Sequence, residues 1–144
     1  MKTILVIEDN KDVRENTSEI LELANYKVLQ AENGKQGVEL AQNAKPDLII
    51  CDIMMPELDG YGVLHMLSRN DETASIPFIF LTANADAATL ERAKATNPPA
   101  FLVKPFTKDD LYTAIEICFN SLVKFKQIIC ILSKKVIFKA VRCL

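Results

Sequence analysis

Five polar residues stand directly behind short apolar runs. Glu8 and Asp9 follow residues 4–7 (ILVI), Asp52 follows 48–51 (LIIC), Thr82 follows 78–81 (FIFL), and Lys104 follows 101–103 (FLV). The runs are short, and most hold branched residues, which suits strands buried on both faces of a parallel sheet. In such a sheet the carboxyl ends of the strands share one edge, where open α/β folds place their sites. Each residue alone has a plain structural reading. Glu8-Asp9 could cap a helix, Thr82 could bond to backbone, and Lys104 could be a solvated residue before a proline. Jointly they put three carboxylates, a hydroxyl and an ammonium on one edge. Three close carboxylates repel, and a divalent cation relieves that. Carboxylates, a backbone carbonyl and water suit Mg²⁺. Asp9 and Asp52 would ligate it directly, Glu8 through water, and the Met54 carbonyl from the loop that turns back over Asp52. A phosphoryl group arriving on Asp52 as nucleophile would bring negative oxygens to meet Mg²⁺, Lys104 and Thr82, with Ala83 leaving room.

The elements that must position these residues are legible in order. Val13, Thr17, Ile20, Leu21 and Ala24 recur at helical spacing and predict a helix over about 12–24, capped by Asn10 or Asp9 and ended at Asn25. Residues 27–31 read as a strand, Asn33-Gly34 as a turn and 37–44 as a second helix. A third helix is expected over 60–68 and an Ala-rich fourth over 85–95, anchored by Leu90 alone. Asn97-Pro98-Pro99 then breaks the chain. Thr107 with Asp110 resembles a capping box for a fifth helix. Strand and helix thus alternate five times, which predicts a parallel sheet with helices on both faces.

Composition is that of an ordinary globular domain, with 49% hydrophobic and 25% charged residues in 144. Charge is uneven. Residues 1–120 hold 11 Lys/Arg against 19 Asp/Glu, a net of −8, whereas residues 121–144 hold 6 Lys/Arg and no acid. The first part is no nucleic-acid surface by charge. Four widely spaced cysteines and the single His65 form no metal-ligand pattern. Cys51 reads as a small buried hydrophobe and His65 as a surface residue, and a reducing compartment follows. The chain begins on a strand-like segment without a signal-peptide apolar region, and no apolar stretch reaches the about 18 residues of a membrane span.

The segments ILVIEDN, LIICDIMMPELDGYGVL, FIFLTAN and FLVKPF together resemble the receiver domain of two-component response regulators, in particular single-domain chemotaxis-type receivers, over about residues 1–122. The resemblance implies a doubly wound, flavodoxin-like α/β fold, with a five-stranded parallel sheet in the order 2-1-3-4-5 and five helices. It implies that Asp52 accepts phosphate from the phosphohistidine of a histidine kinase or histidine phosphotransfer protein. Glu8, Asp9, Asp52 and the Met54 carbonyl would hold Mg²⁺, and Thr82, Ala83 and Lys104 would hold the phosphoryl group. Thr82 and Phe101 would switch, the Lys104-Pro105 bond would be cis, and the fourth helix, fifth strand and fifth helix would form an output or homodimer face. The expected product is a cytoplasmic signalling switch that assists its own phosphorylation and slow dephosphorylation, not a turnover enzyme. A phosphorelay intermediate, or a fragment of a larger regulator or hybrid kinase, are the alternatives. A phosphatase of the aspartyl-phosphate type wants a second carboxylate two residues after the nucleophile, and position 54 is Met. Departures from the family pattern are Asn97-Pro98-Pro99 before the fifth strand, and non-acidic Met54 and Asn84, which predict slow self-hydrolysis.

Residues 123–144 form a basic, apolar tail. Leu111, Ile115, Cys118, Leu122, Phe125, Ile129, Leu132 and Val136 recur in alternating steps of four and three. That seam could extend the fifth helix. Lys126 and Lys135 flank it without acidic partners, so an acidic protein or anionic membrane surface suits it better than a homodimeric coil. Val136-Ile137-Phe138 also permits a strand.

Overall fold

The computed structural model describes residues 1–83, 100–119, 130–131 and 136–138. The chain divides into two compact units, Met1–Ile76 and Pro77–Leu144.

In the first unit, strands and helices alternate: β1 (Thr3–Ile7), α1 (Lys11–Leu23), β2 (Lys27–Ala31), α2 (Gly34–Ala44), β3 (Leu48–Asp52) and α3 (Gly60–Ser68). The strands are parallel, with β1 between β2 and β3. Central position explains the sequence of β1, where Ile4 through Ile7 are fully buried, and Leu48 through Cys51 in β3 are likewise sealed. The register Ile4↔Leu48 to Ile7↔Cys51 brings the two strands to their carboxyl ends together. Val38 and Ala41 of α2, and Val63 and Leu67 of α3, face inward.

Local chemistry sets the ends of these helices. Asn10 caps α1, its side chain accepting from the Val13 amide at 3.1 Å. At the other end Asn25 is left-handed (φ 68°), and the amides of Asn25 and Tyr26 return to the carbonyls of Glu22 and Leu21 at 3.0 and 3.1 Å. This double return is a Schellman closure, which Asn tolerates better than most residues. The second helix begins a turn earlier than the sequence pattern suggests. Asn33 is its cap, accepting from the Gln36 amide at 2.8 Å, so Asn33-Gly34 opens a helix instead of making a free turn.

In the second unit β4 (Phe78–Thr82) and β5 (Ala100–Val103) pair in parallel, with Phe101 opposite Phe80. Those rings lie 5.9 Å apart, and Phe78 meets Phe80 edge-on at 5.1 Å. A fourth described helix, α4 (Lys108–Phe119), packs on β5. Its capping box forms, since Asp110 N–H donates to the Thr107 hydroxyl at 3.1 Å and Thr107 N–H to the Asp110 carboxylate at 3.0 Å.

The tail contributes two short strands, β6 (Cys130–Ile131) and β7 (Val136–Phe138). β7 runs antiparallel beside β5 in the register Ala100↔Phe138 to Leu102↔Val136, and β6 pairs with β7. The seam positions 122, 125, 129 and 132 fall outside the described residues, and Val136-Ile137-Phe138 takes the strand form that the sequence also permits. Leu111, Ile115 and Cys118 are in α4, but Val136 lies in a strand, where its β-branched segment gains main-chain pairing with β5. Four helices are present among the described residues against the five expected. The expected helix at 85–95, Asn84 and Asn97-Pro98-Pro99 fall outside them.

Candidate functional site

Asp52 is the last residue of β3 and is 6% exposed. Glu8 follows the last residue of β1 and is buried, while Asp9 is exposed. Because Ile7 stands opposite Cys51, one further step along both strands brings Glu8 and Asp52 to the same level. Carboxylate oxygens of Glu8, Asp9 and Asp52 all lie within 4.8 Å of one another. At that distance two unit charges repel by roughly 1 kcal/mol in a water-like medium and roughly 3 kcal/mol at an effective dielectric near 20.

The simplest explanation of this acidic pair, a helix cap, is excluded by the geometry. Asn10 does the capping, and the amide of Asn10 donates to the Glu8 carboxylate at 3.3 Å. The acids are left at the strand ends. Three oxygen donors converging there, two of them buried, fit a small hard dication such as Mg²⁺.

Beyond Asp52 the loop to α3 is tightly held. The Gly60 amide donates to the Ile53 carbonyl at 2.8 Å, and Leu58 N–H to the Pro56 carbonyl at 2.8 Å, with Glu57 left-handed at φ 67°. Asp59 caps α3 by accepting from the Gly62 amide at 2.9 Å. Glycine is needed at 60, where a Cβ would lie 2.5 Å from the Asp52 carbonyl oxygen, and at 34, where it would lie 2.6 Å from the Leu58 carbonyl oxygen. Met55 is buried by this turn, and the Met54 side chain is 76% exposed.

Burial also marks the neighbouring Cys51. Its thiol is pushed well above the usual range, first by burial and then by the charges of Asp52, Glu8 and Asp59. The thiol, buried and 3.2 Å from the Asp52 main-chain carbonyl, is held protonated and is no nucleophile.

In the second unit Thr82 ends β4 and is buried, Ala83 is exposed, and Lys104 is half-buried just past β5. The Lys104 amide donates to the Thr82 carbonyl at 2.7 Å, extending the ladder one step beyond Thr82↔Val103 and setting these two residues side by side. Phe101 is buried at 1% exposure, and Lys104-Pro105 is cis. His65 is exposed in the last turn of α3.

One residue escaped sequence reasoning. Arg14, in the first turns of α1, donates from Nη1 to the main-chain carbonyl of Glu8 at 2.8 Å. An arginine bonded to a backbone oxygen leaves no partner residue type to find in the sequence. Its spacing of six from Glu8 was the one available sign.

The chain resembles known proteins in fold and sequence. Vibrio cholerae chemotaxis protein CheY4 superposes with a TM-score of 0.77 at 28% identity, over 81% of this chain and 97% of that one. The receiver domain of the Pseudomonas aeruginosa sensor histidine kinase PA1611, solved with a magnesium ion coordinated in its active-site cleft, gives 0.75 at 29% identity, over 80% and 94%. Protein PilH of P. aeruginosa is 33% identical over 80% of this chain and 95% of its own length. The DNA-binding regulator RpaA of Synechocystis is 35% identical over 80% of this chain. The chain spans about half the length of that relative and of the P. aeruginosa phosphate regulon regulator PhoB, at 48% and 50%. Residues 4–116 match the response regulator receiver domain, and with the strand orders β2-β1-β3 and β4-β5 already in place, the chain belongs to that family.

Proposed function

We propose that this chain is a phosphorylation-dependent switch whose acceptor is Asp52. The observation that carries the reading is the convergence of Glu8, Asp9 and Asp52 while Asn10 caps the helix. Phosphate comes from the phosphohistidine of a histidine kinase or histidine phosphotransfer protein. An Asp52 carboxylate oxygen forms the new O–P bond as the donor's N–P bond breaks. Mg²⁺ held by Glu8, Asp9, Asp52 and the Met54 carbonyl supplies charge neutralisation for that transfer. Lys104 and the Thr82 hydroxyl take phosphoryl oxygens beside Ala83, and Thr82 reports their arrival to Phe101. The signal leaves through β5, α4 and the helix expected at 85–95, onto a protein target or a second copy.

The chain turns over no substrate. Loss of the phosphoryl group is slow, since Met54 and Asn84 offer no carboxylate to activate water. Among the described residues no helix is long and apolar enough to cross a membrane, and a cytoplasmic site of action fits a kinase-fed switch. A receiver within a larger regulator is the second reading, favoured by the relatives of which this chain spans half. The basic tail would then begin the connection, with contact to an acidic partner or membrane as its other use.

The test is incubation with Mg²⁺ and acetyl phosphate followed by intact mass. One added phosphoryl group is expected, absent in Asp52→Asn and absent without Mg²⁺. A folded chain that takes up no phosphoryl group, and binds no beryllofluoride either, would overturn the reading.

A further inference from the structure

The peptide joining Glu8 to Asp9 carries two of the three carboxylates of the cluster, and it is gripped from outside. Its carbonyl oxygen, that of Glu8, accepts the Arg14 guanidinium at 2.8 Å. The Glu8 amide is held independently by the Ala31 carbonyl at 3.1 Å, and the Glu8 carboxylate by the Asn10 amide at 3.3 Å. Arg14 is itself fixed on α1, where its amide donates to the Asn10 carbonyl at 2.9 Å and its carbonyl accepts from the Ser18 hydroxyl at 2.8 Å. Asp9, by contrast, is exposed, so the peptide behind it does most to aim it.

We infer that Arg14 is a positioning residue for the cation site: its guanidinium clamps the Glu8–Asp9 peptide so that both carboxylates point at Asp52 before the cation arrives. The inference rests on the Mg²⁺ reading proposed above. A hydrogen bond from a charged donor is stronger than a neutral one, and a planar guanidinium holds direction as well as distance. Metal affinity depends on such outer contacts, because a ligand that must first be ordered binds more weakly. Arg14 also brings a positive charge toward a site for a dication. Charge alone would weaken Mg²⁺ binding, whereas the clamp strengthens it, so the two roles predict opposite signs.

Calorimetric titration of the full chain with MgCl₂ separates them, with folding followed by circular dichroism. Arg14→Met, which removes donor and charge, is expected to raise the Mg²⁺ dissociation constant about tenfold, the low end for a contact outside the ligand shell. Arg14→Gln keeps a donor without the charge, and Arg14→Lys keeps both. Each is expected to bind more tightly than Arg14→Met. Mg²⁺ binding by Arg14→Met as tight as wild type, or tighter, overturns the clamp, as does equal weakening in all three variants. If Arg14→Met fails to fold, the Gln and Lys variants decide, and a tenfold loss in both counts against it. A wild-type chain that binds no Mg²⁺ at all fails at the earlier step and removes the cation reading together with the clamp.

Discussion

The side-chain oxygen of Asn10 accepts the Val13 amide at 3.1 Å, and this bond closes the first turn of α1 without help from Asp9. Replacing Asn10 by Ala is expected to cost about 1 kcal/mol of stability in urea unfolding. The variant should still accept a phosphoryl group, because its side chain is the cap and not a member of the acidic cluster. An unchanged midpoint would mean that Asp9 can take over the cap.

Asp9→Asn should act in opposite directions with and without metal. In metal-free buffer the substitution removes one of three mutually repelling charges, and because Asp9 is exposed the gain is at most about 1 kcal/mol. Saturating Mg²⁺ is expected to stabilise wild type by about 2.7 kcal/mol at a hundred times its dissociation constant, and to give the variant much less. Thermal melts with EDTA and with Mg²⁺ would read both signs. A variant less stable than wild type in EDTA would show that Asp9 has a structural partner instead.

Thr17 offers a gain. Its hydroxyl is buried in α1 and has no hydrogen-bond partner among the described residues. Thr17→Val keeps the shape and removes the unsatisfied group, so it should stabilise the chain by about 1 kcal/mol. Valine's cost in a helix is close to that of threonine, so propensity does not obscure the result. A loss of stability in urea would place a water or an unseen acceptor at that hydroxyl.

Thiol chemistry supplies a pH test. Burial pushes the Cys118 thiol from 9.0 to about 12, and Cys51 is also raised well above its usual value. Fully buried Cys51 should resist alkylation at pH 8 in the folded chain, and half-buried Cys118 should label more slowly there than in urea, read peptide by peptide. Between the unfolded value near 9 and the folded value near 12, the folded state holds the extra proton at Cys118. The stability tied to that thiol is therefore complete below pH 9 and is lost as pH rises toward 12. Labelling of Cys118 at pH 8 as fast as in urea would show that burial does not hold its thiol up.

The strands were legible because their burial is written in composition. A run such as Leu48 through Cys51, sealed on both faces, admits little but apolar residues. The carboxyl-end acids were legible for the same reason, as polar residues abruptly ending such runs. Contacts that leave no residue-type signature were not. Arg14 bonds to a main-chain oxygen, and Asn33-Gly34 looks the same whether it turns the chain or caps a helix. The tail stayed open between helix and strand because a four-three apolar rhythm is a local pattern. The pairing of Phe101 with Ile137 joins positions far apart in the sequence and is invisible to any window along the chain.

That pairing changes what β5 can be used for. With β4 on one flank and β7 on the other, β5 is an interior strand, and its backbone groups opposite β7 are already engaged. An uncovered strand edge, by contrast, invites a second chain to add its own strand. A chain shortened after Phe119 would bare that flank, and its first new property should be self-association, growing with protein concentration and unrelated to phosphate.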